Sequence, residues 1–155
     1  MEKTFCKEYE KLQIRHGDDK KLRLLVSHQP AIKVNNPEWT EPYTKVNVLL
    51  QCHFSRSSIG SIDLRKDQEC ILHDAVRLVR ALVDVISSSG WLRAVLIAME
   101  LGQMLVQGQW GTDSPLLQIP HFNRDLAKKC KAAGIEGIFD LKTWYLLLQT
   151  IFYQF

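Results

Sequence analysis

The polar residues His73, Arg77, Arg80, Asp84 and Ser88 follow one another at intervals of four, three, four and four. On a helix, that spacing draws all five into one narrow line. Guanidinium groups ordered this way can contact successive phosphates of a nucleic-acid backbone, because each planar fork offers paired donors to anionic oxygens. The same residues can also satisfy one another. Arg80 and Asp84 are four apart and Asp74 and Arg77 three apart, and local pairs of this kind stabilise a helix by roughly 0.2–0.5 kcal/mol. Both readings stand at the level of sequence. A second basic cluster, Lys128, Lys129 and Lys131, is either a solvated helix face or a further phosphate contact, with the solvated face favoured. Trp91 and Trp110 are expected to be core anchors rather than stacking platforms for bases.

Other chemistry finds no support. There is no G-x-x-x-x-G-K-[ST] loop for a nucleotide phosphate and no Asp-Glu dipeptide to hold magnesium. Neither a G-x-S-x-G elbow nor an H-E-x-x-H helix occurs. Cys70 and His73 could place two ligands side by side, but a zinc site needs about four and no second pair has matching spacing. Cys52 and His53 are adjacent and so face different ways on a helix. Cysteine–histidine nucleophilic catalysis would also need an oxyanion hole, for which no segment stands out. No catalytic residue, metal or cofactor is expected, and ATP hydrolysis by this chain is not.

The elements that carry these residues must be helices. The chain has 155 residues, enough for one domain with a small appendix, and its 46% hydrophobic and 24% charged content is that of an ordinary folded protein. A net charge of +3 and a pI near 8.7 permit a nucleic-acid or acidic partner without requiring one. The cysteines at 6, 52, 70 and 130 form no C-x-x-C pair, and Met1–Lys7 lacks an apolar leader, so free thiols in a reduced, intracellular setting are expected. No apolar run approaches the roughly 20 residues that span a bilayer.

Gly17-Asp18-Asp19 starts a first helix, with Leu22, Leu25 and Val26 on its apolar face and Pro30 at its end. Asn35-Asn36-Pro37 is a turn. A second helix starts near Thr40-Glu41-Pro42 and runs to about Arg56, with Val46, Leu49, Leu50 and Phe54 opposite Asn47, Gln51 and Ser55. The longest runs from about Asp63 to Ser88. Ile71, Ala75, Leu78, Val79, Leu82, Val85 and Ile86 cover half of its circumference, which predicts packing on more than one neighbour and a single thin polar stripe. Gly90 closes it in a left-handed cap. A fourth helix spans about Leu92 to Gln109, with Val95, Ala98, Met99, Leu101, Gly102, Leu105 and Val106 on a broad face; Gly102 suggests close approach of a neighbouring helix. After Gly111 come shorter pieces: Ser114-Pro115 as cap and first turn, a helix from Arg124 to Ala133 capped by Asn123 and ended by Gly134, then Ile135, Ile138 and Leu141 at helical spacing. No β alternation of useful length appears. The expected fold is an all-α bundle around one long helix, followed by a partial helix-loop-helix unit. The expected divisions are 1–112, 113–141 and an aromatic tail at 142–155.

Several phrases carry a resemblance. They are Val48-Leu-Leu-Gln-Cys-His-Phe-Ser-Arg56, Asp84-Val-Ile-Ser-Ser-Ser-Gly-Trp91, Ala98-Met-Glu-Leu-Gly-Gln-Met104, Gln109-Trp110 and Ser114-Pro-Leu-Leu-Gln-Ile-Pro-His-Phe122. From about Tyr9 to Leu141 the chain resembles the Sec-sixty-three homology region, the helical domain behind the motor domains of large spliceosomal DExH-box RNA helicases of the U5 particle. The wording is most similar to the copy behind the second helicase cassette. The resemblance implies that the helix over 63–88 is a "ratchet" helix lying across the translocated strand, with Arg77 and Arg80 as the residues carried over. In the second cassette it implies a regulatory, protein-binding platform. Leu117 to Ile135 resembles a helix-hairpin-helix, but His121 and Phe122 stand where the nucleic-acid-binding form has glycines, which favours packing over backbone binding. After Leu141 the resemblance stops, as in a truncated copy. The implied role is a non-catalytic accessory domain of an RNA helicase in pre-mRNA splicing. Implied partners are motor domains or splicing proteins and RNA, in the nucleus and without a membrane. The alternatives are a stand-alone nucleic-acid-binding module and a truncated product without independent function.

Overall fold

The computed structural model describes residues 7–35 and 37–152, without the side chains of 146–152. Every regular element among them is helical. Contacts divide the chain into two compact units, Met1–Gly111 and Thr112–Phe155.

The first unit opens with a 3-10 turn, Lys7–Lys11, whose Tyr9 is buried and donates its hydroxyl to the Ile71 carbonyl at 3.3 Å. Helix α1 runs Asp18–His28 from Gly17, which has φ 88, and two carboxylates occupy its first turn as the helix dipole favours. Helix α2, Pro42–Phe54, has proline in its first turn, where no intrahelical donor is lost. Helix α3 spans Ile62–Ser88 and α4 spans Leu92–Gln107. Gly108, with φ 60, ends α4 two residues before the expected end, because its left-handed backbone turns the chain out of the helix. Gly90, φ 72, closes α3 just past Ser89 in the left-handed conformation, as expected.

The core gathers on α2. Leu22 of α1, Leu49 of α2, and Leu64 and Ile71 of α3 are each no more than 1% exposed, and complete burial of such a side chain contributes about 1.5–3 kcal/mol. Gln51, on the expected polar line of α2, holds the 31–35 segment: it accepts from the Lys33 amide at 2.9 Å and donates to the Lys33 carbonyl at 3.1 Å. A second cluster joins Phe54, Ala75 and Leu105, and Trp110 packs beside it. Gly102 faces α3 as expected, where a β-carbon would lie 3.4 Å from Val79 Cγ1.

The expected apolar half of α3 is only half correct. Leu64, Asp67, Ile71 and Ala75 are its buried positions, whereas Leu82 is 45% and Val85 65% exposed. Length explains the difference. A helix of 27 residues is about 40 Å long, whereas the 13 residues of α2 reach about 20 Å, so α2 cannot cover the far half of α3, which packs mainly on α4 within the first unit. Along with it Trp91 lies 67% exposed, and so does not anchor the core, and Val106 of α4 also faces outward. Trp110 does anchor: its ring stands 5.0 Å from Phe54 and its Nε1 donates to Ser55 Oγ at 3.1 Å.

In the second unit Ser114 Oγ accepts from the Leu116 amide at the start of a 3-10 turn, Pro115–Gln118. Helix α5, Arg124–Ala132, is capped by Asn123, whose Oδ1 accepts from the Leu126 amide at 2.8 Å, and Gly134 (φ 79) follows it. Helix α6 runs Ile138–Phe152. Leu116, Ala127 and Ile135 are the small core, with Phe122, Cys130 and Leu141 against it. Ile135 packs from the loop rather than from a helical turn, and Ile138 is exposed. Cys6 and Asn36 lie outside the described residues, as do the last three residues of the expected aromatic tail.

Candidate functional site

His73, Arg77, Arg80 and Asp84 line one open groove on α3, whose floor is Leu72, Val76 and Ala81. All four side chains are exposed, with His73 at 84% and Arg77 at 59%. Ser88, the last of the line, donates its hydroxyl to the Val85 carbonyl at 2.7 Å and so is turned onto its own helix.

The local pairs that could have neutralised the stripe are largely absent. Arg77 lies 4.0 Å from Asp74, the outer limit of an ion pair. Its close partner is Glu8, 69 residues away, to which Nη2 donates at 2.8 Å. That hydrogen bond and the adjoining negative charge hold the Arg77 guanidinium above its ordinary pKa. His73 Nδ1 stands 3.6 Å from Asp74. Arg80 has no ion pair or hydrogen bond through its side chain among the described residues, and the expected i,i+4 bridge to Asp84 does not form. Among the described residues the stripe therefore presents one uncommitted guanidinium and one covered by the Lys7–Lys11 turn.

Lys128, Lys129 and Lys131 are exposed on α5, in the second unit. The turn before α5 is built for packing. Phe122 is half-buried against Leu116, Ala127 and Ile135, while exposed His121 takes the left-handed φ of 65 that glycine usually supplies.

Sequence reasoning missed a buried ionic cluster under the N-terminal end of α3. The Lys45 side chain is completely buried. Its ammonium donates to Asp18 Oδ2 at 2.7 Å and to the Gln13 carbonyl at 2.9 Å, and lies 2.7 Å from Asp67 Oδ2. Arg15 grips Asp67 with two nitrogens, at 2.6 and 3.0 Å, and its own amide donates to Asp18 Oδ2 at 3.1 Å. Burial pushes the carboxyls of Asp18 and Asp67 up. The hydrogen bonds and charges of Lys45 and Arg15 outweigh it and hold both below the usual carboxylate range. Asp18 Oδ1 is buried with no hydrogen-bond partner among the described residues. A signal was present: Lys45 shares a face with Val48 and Leu49, and Asp67 falls between Leu64 and Ile71 in the buried phase of α3. Charges in an apolar phase must meet each other.

A polar corner fixes α4 on α2. His53 Nε2 lies 2.8 Å from the Leu105 carbonyl, and Arg56 donates to the carbonyls of Gly108 at 2.9 Å and Gln107 at 3.1 Å. These groups satisfy the last, otherwise unpaired carbonyls of α4 at its negative end. The corner thus ties the C-terminal end of α4 to the end of α2. Among the described residues no three histidine, cysteine or acidic side chains cluster to hold a metal ion, and no helix is long and apolar enough to cross a membrane.

A family model described as the Sec63 Brl domain matches residues 4–137. Among curated relatives, the DExH-box ATP-dependent RNA helicase DExH12 of Arabidopsis thaliana is 49% identical over 141 residues, or 89% of this chain. The U5 small nuclear ribonucleoprotein 200 kDa helicase of Homo sapiens is 48% identical over 134 residues, or 86% of the chain. The activating signal cointegrator 1 complex subunit 3-like protein of Dictyostelium discoideum is 51% identical over the same length. In each case the match covers 6% of the relative.

Proposed function

The chain belongs to the Sec63 Brl domain family, and we propose that it serves as a non-catalytic helical accessory domain of a spliceosomal ATP-dependent RNA helicase, guiding an RNA strand along α3. The sequence holds no helicase motif, so the motor that moves the strand belongs to other domains. In this reading those motor domains are its protein partners, pre-mRNA splicing is its process and the nucleus its location. The domain itself turns over no ATP.

The observation that carries this reading is the exposed, uncommitted Arg80 in an open groove along a 27-residue helix, with His73 and Arg77 on the same line. A guanidinium in that position can bind phosphate without first giving up a partner. Arg80 is the main phosphate contact, and the apolar lining of Leu72, Val76 and Ala81 leaves room for sugar and base edges.

The test is a fluorescence-anisotropy titration of a labelled single-stranded oligouridylate against the full chain at several salt concentrations. Affinity should fall as salt rises, with a log–log slope of about −0.7 per phosphate contacted. Arg80→Ala should reduce that slope by about one contact. A titration that is flat at low salt, or one that ignores Arg80→Ala, refutes the assignment. Protein docking on α3 would then be the better account of the stripe.

A further inference from the structure

We infer that Glu8 is a built-in competitor for the RNA strand: the Lys7–Lys11 turn places its carboxylate on Arg77, where a phosphate of the strand would otherwise bind. The inference rests on the RNA-guiding reading of α3 given above. Three observations support it. The hydrogen bond from Arg77 Nη2 to Glu8 Oε2 is 2.8 Å, the length of a charge-assisted contact of the kind a phosphate oxygen would make. The turn does not depend on that pair for its position, because Tyr9 is buried in the core and bonded to the Ile71 carbonyl, while Tyr43 donates to Glu10 at 3.3 Å. Glu8 is therefore held at the rim of the groove by its neighbours. Finally, the pair is open to water, with Glu8 39% and Arg77 59% exposed, so an incoming anion can reach the guanidinium and displace the carboxylate.

Charge accounts for the direction of the effect. With Glu8 in place Arg77 is neutralised locally, and Arg80 is the stripe's uncommitted guanidinium. Removing the carboxylate exposes a second guanidinium at i−3, one turn along the same line. The turn thus tunes how tightly the groove holds a strand, a useful property where a strand must slide.

The test uses the full chain and the labelled oligouridylate at about 0.1 M salt. Glu8→Gln, which keeps the shape of the side chain, should tighten binding about fivefold and steepen the salt slope by about 0.7, the effect of one added single-strand phosphate contact. In an Arg77→Ala background the same change should have no effect. Two results overturn the inference while leaving the RNA reading intact. One is binding that weakens with Arg80→Ala yet ignores Glu8→Gln. The other is an equal gain from Glu8→Gln with and without Arg77, which would mark a general charge effect. Absence of salt-dependent binding in the parent chain overturns both.

Discussion

Replacing Lys45 by methionine should cost the first unit about 3–5 kcal/mol, the range for breaking a buried ion pair on one side only. The structure shows which group bears the loss. Asp67 keeps both hydrogen bonds from Arg15, at 2.6 and 3.0 Å. Asp18 keeps only the Arg15 amide at 3.1 Å, and its other oxygen already has no hydrogen-bond partner among the described residues. A completely buried carboxylate is thus left almost alone, and methionine, although similar in volume, offers it nothing. Against a typical total of about 5–15 kcal/mol, such a loss is large. The assay is urea unfolding of parent and variant at pH 7 and at pH 4.5. In the parent, Asp18 is held below its unfolded pKa and stays ionised over this range. In the variant its pKa should rise above the unfolded value, so the folded variant takes up a proton as pH falls and regains stability. The difference between the two proteins should therefore narrow on acidification. Adding Asp18→Asn to Lys45→Met should recover a good part of the loss, since no buried charge then lacks a partner. A difference below about 1 kcal/mol at pH 7, or one that does not change with pH, would refute the assignment of Lys45 as the keystone of the cluster.

Gly108→Ala should lower stability by more than the roughly 1–2 kcal/mol of a left-handed non-glycine residue, because the new β-carbon would lie 3.2 Å from His53 Cε1. Gly90→Ala, also at positive φ but with nothing within 4 Å, should show the backbone cost alone, and paired thermal melts compare them. Asn123→Ala should cost about 1 kcal/mol and reduce amide-exchange protection at Leu126, the donor it caps. Burial pushes the Cys52 thiol up to about 11, so iodoacetamide at pH 8 should alkylate exposed Cys70 and leave Cys52 intact until the chain unfolds, as peptide mass mapping would show. Asp18 and Asp67, both held below the ordinary carboxylate pKa, should stabilise the fold fully above about pH 4 and lose that contribution as pH falls through their folded values, which an acid-unfolding curve flattened by Lys45→Met would check.

Much of the fold was legible because its signals are local. Pro42, Gly90, Asn123 and Gly134 each act on the backbone within a turn of themselves, and the helices begin and end near them. The apolar phase of α3 was legible too, but periodicity cannot say how far along a helix its neighbours extend. Leu82 and Val85 obey the pattern of Ile71 and Ala75 and still face outward, because α2 is half as long as α3. The same limit misplaced Trp91, whose composition suits a core that does not reach it.

For the candidate site, the sequence by itself determined that His73, Arg77, Arg80 and Asp84 share a line, since helical geometry is set within a few residues. It also supplied, through the wording of the chain, its place among helicase-associated helical domains. Only the tertiary structure decided which guanidinium is covered. Arg77 could pair with Asp74 three residues away or with Glu8 at the other end of the unit, and the choice depends on where buried Tyr9 sets the turn. The same holds for Lys45, which meets Asp18 and Asp67 at 27 and 22 residues' remove along the chain, and for Arg15, which meets Asp67 across 52 residues, all at 2.6–3.0 Å in space. Spacing along the chain determines which side chains share a face. Which charges meet across faces is decided by packing, because an ion removed from water must find its opposite wherever the core has brought one.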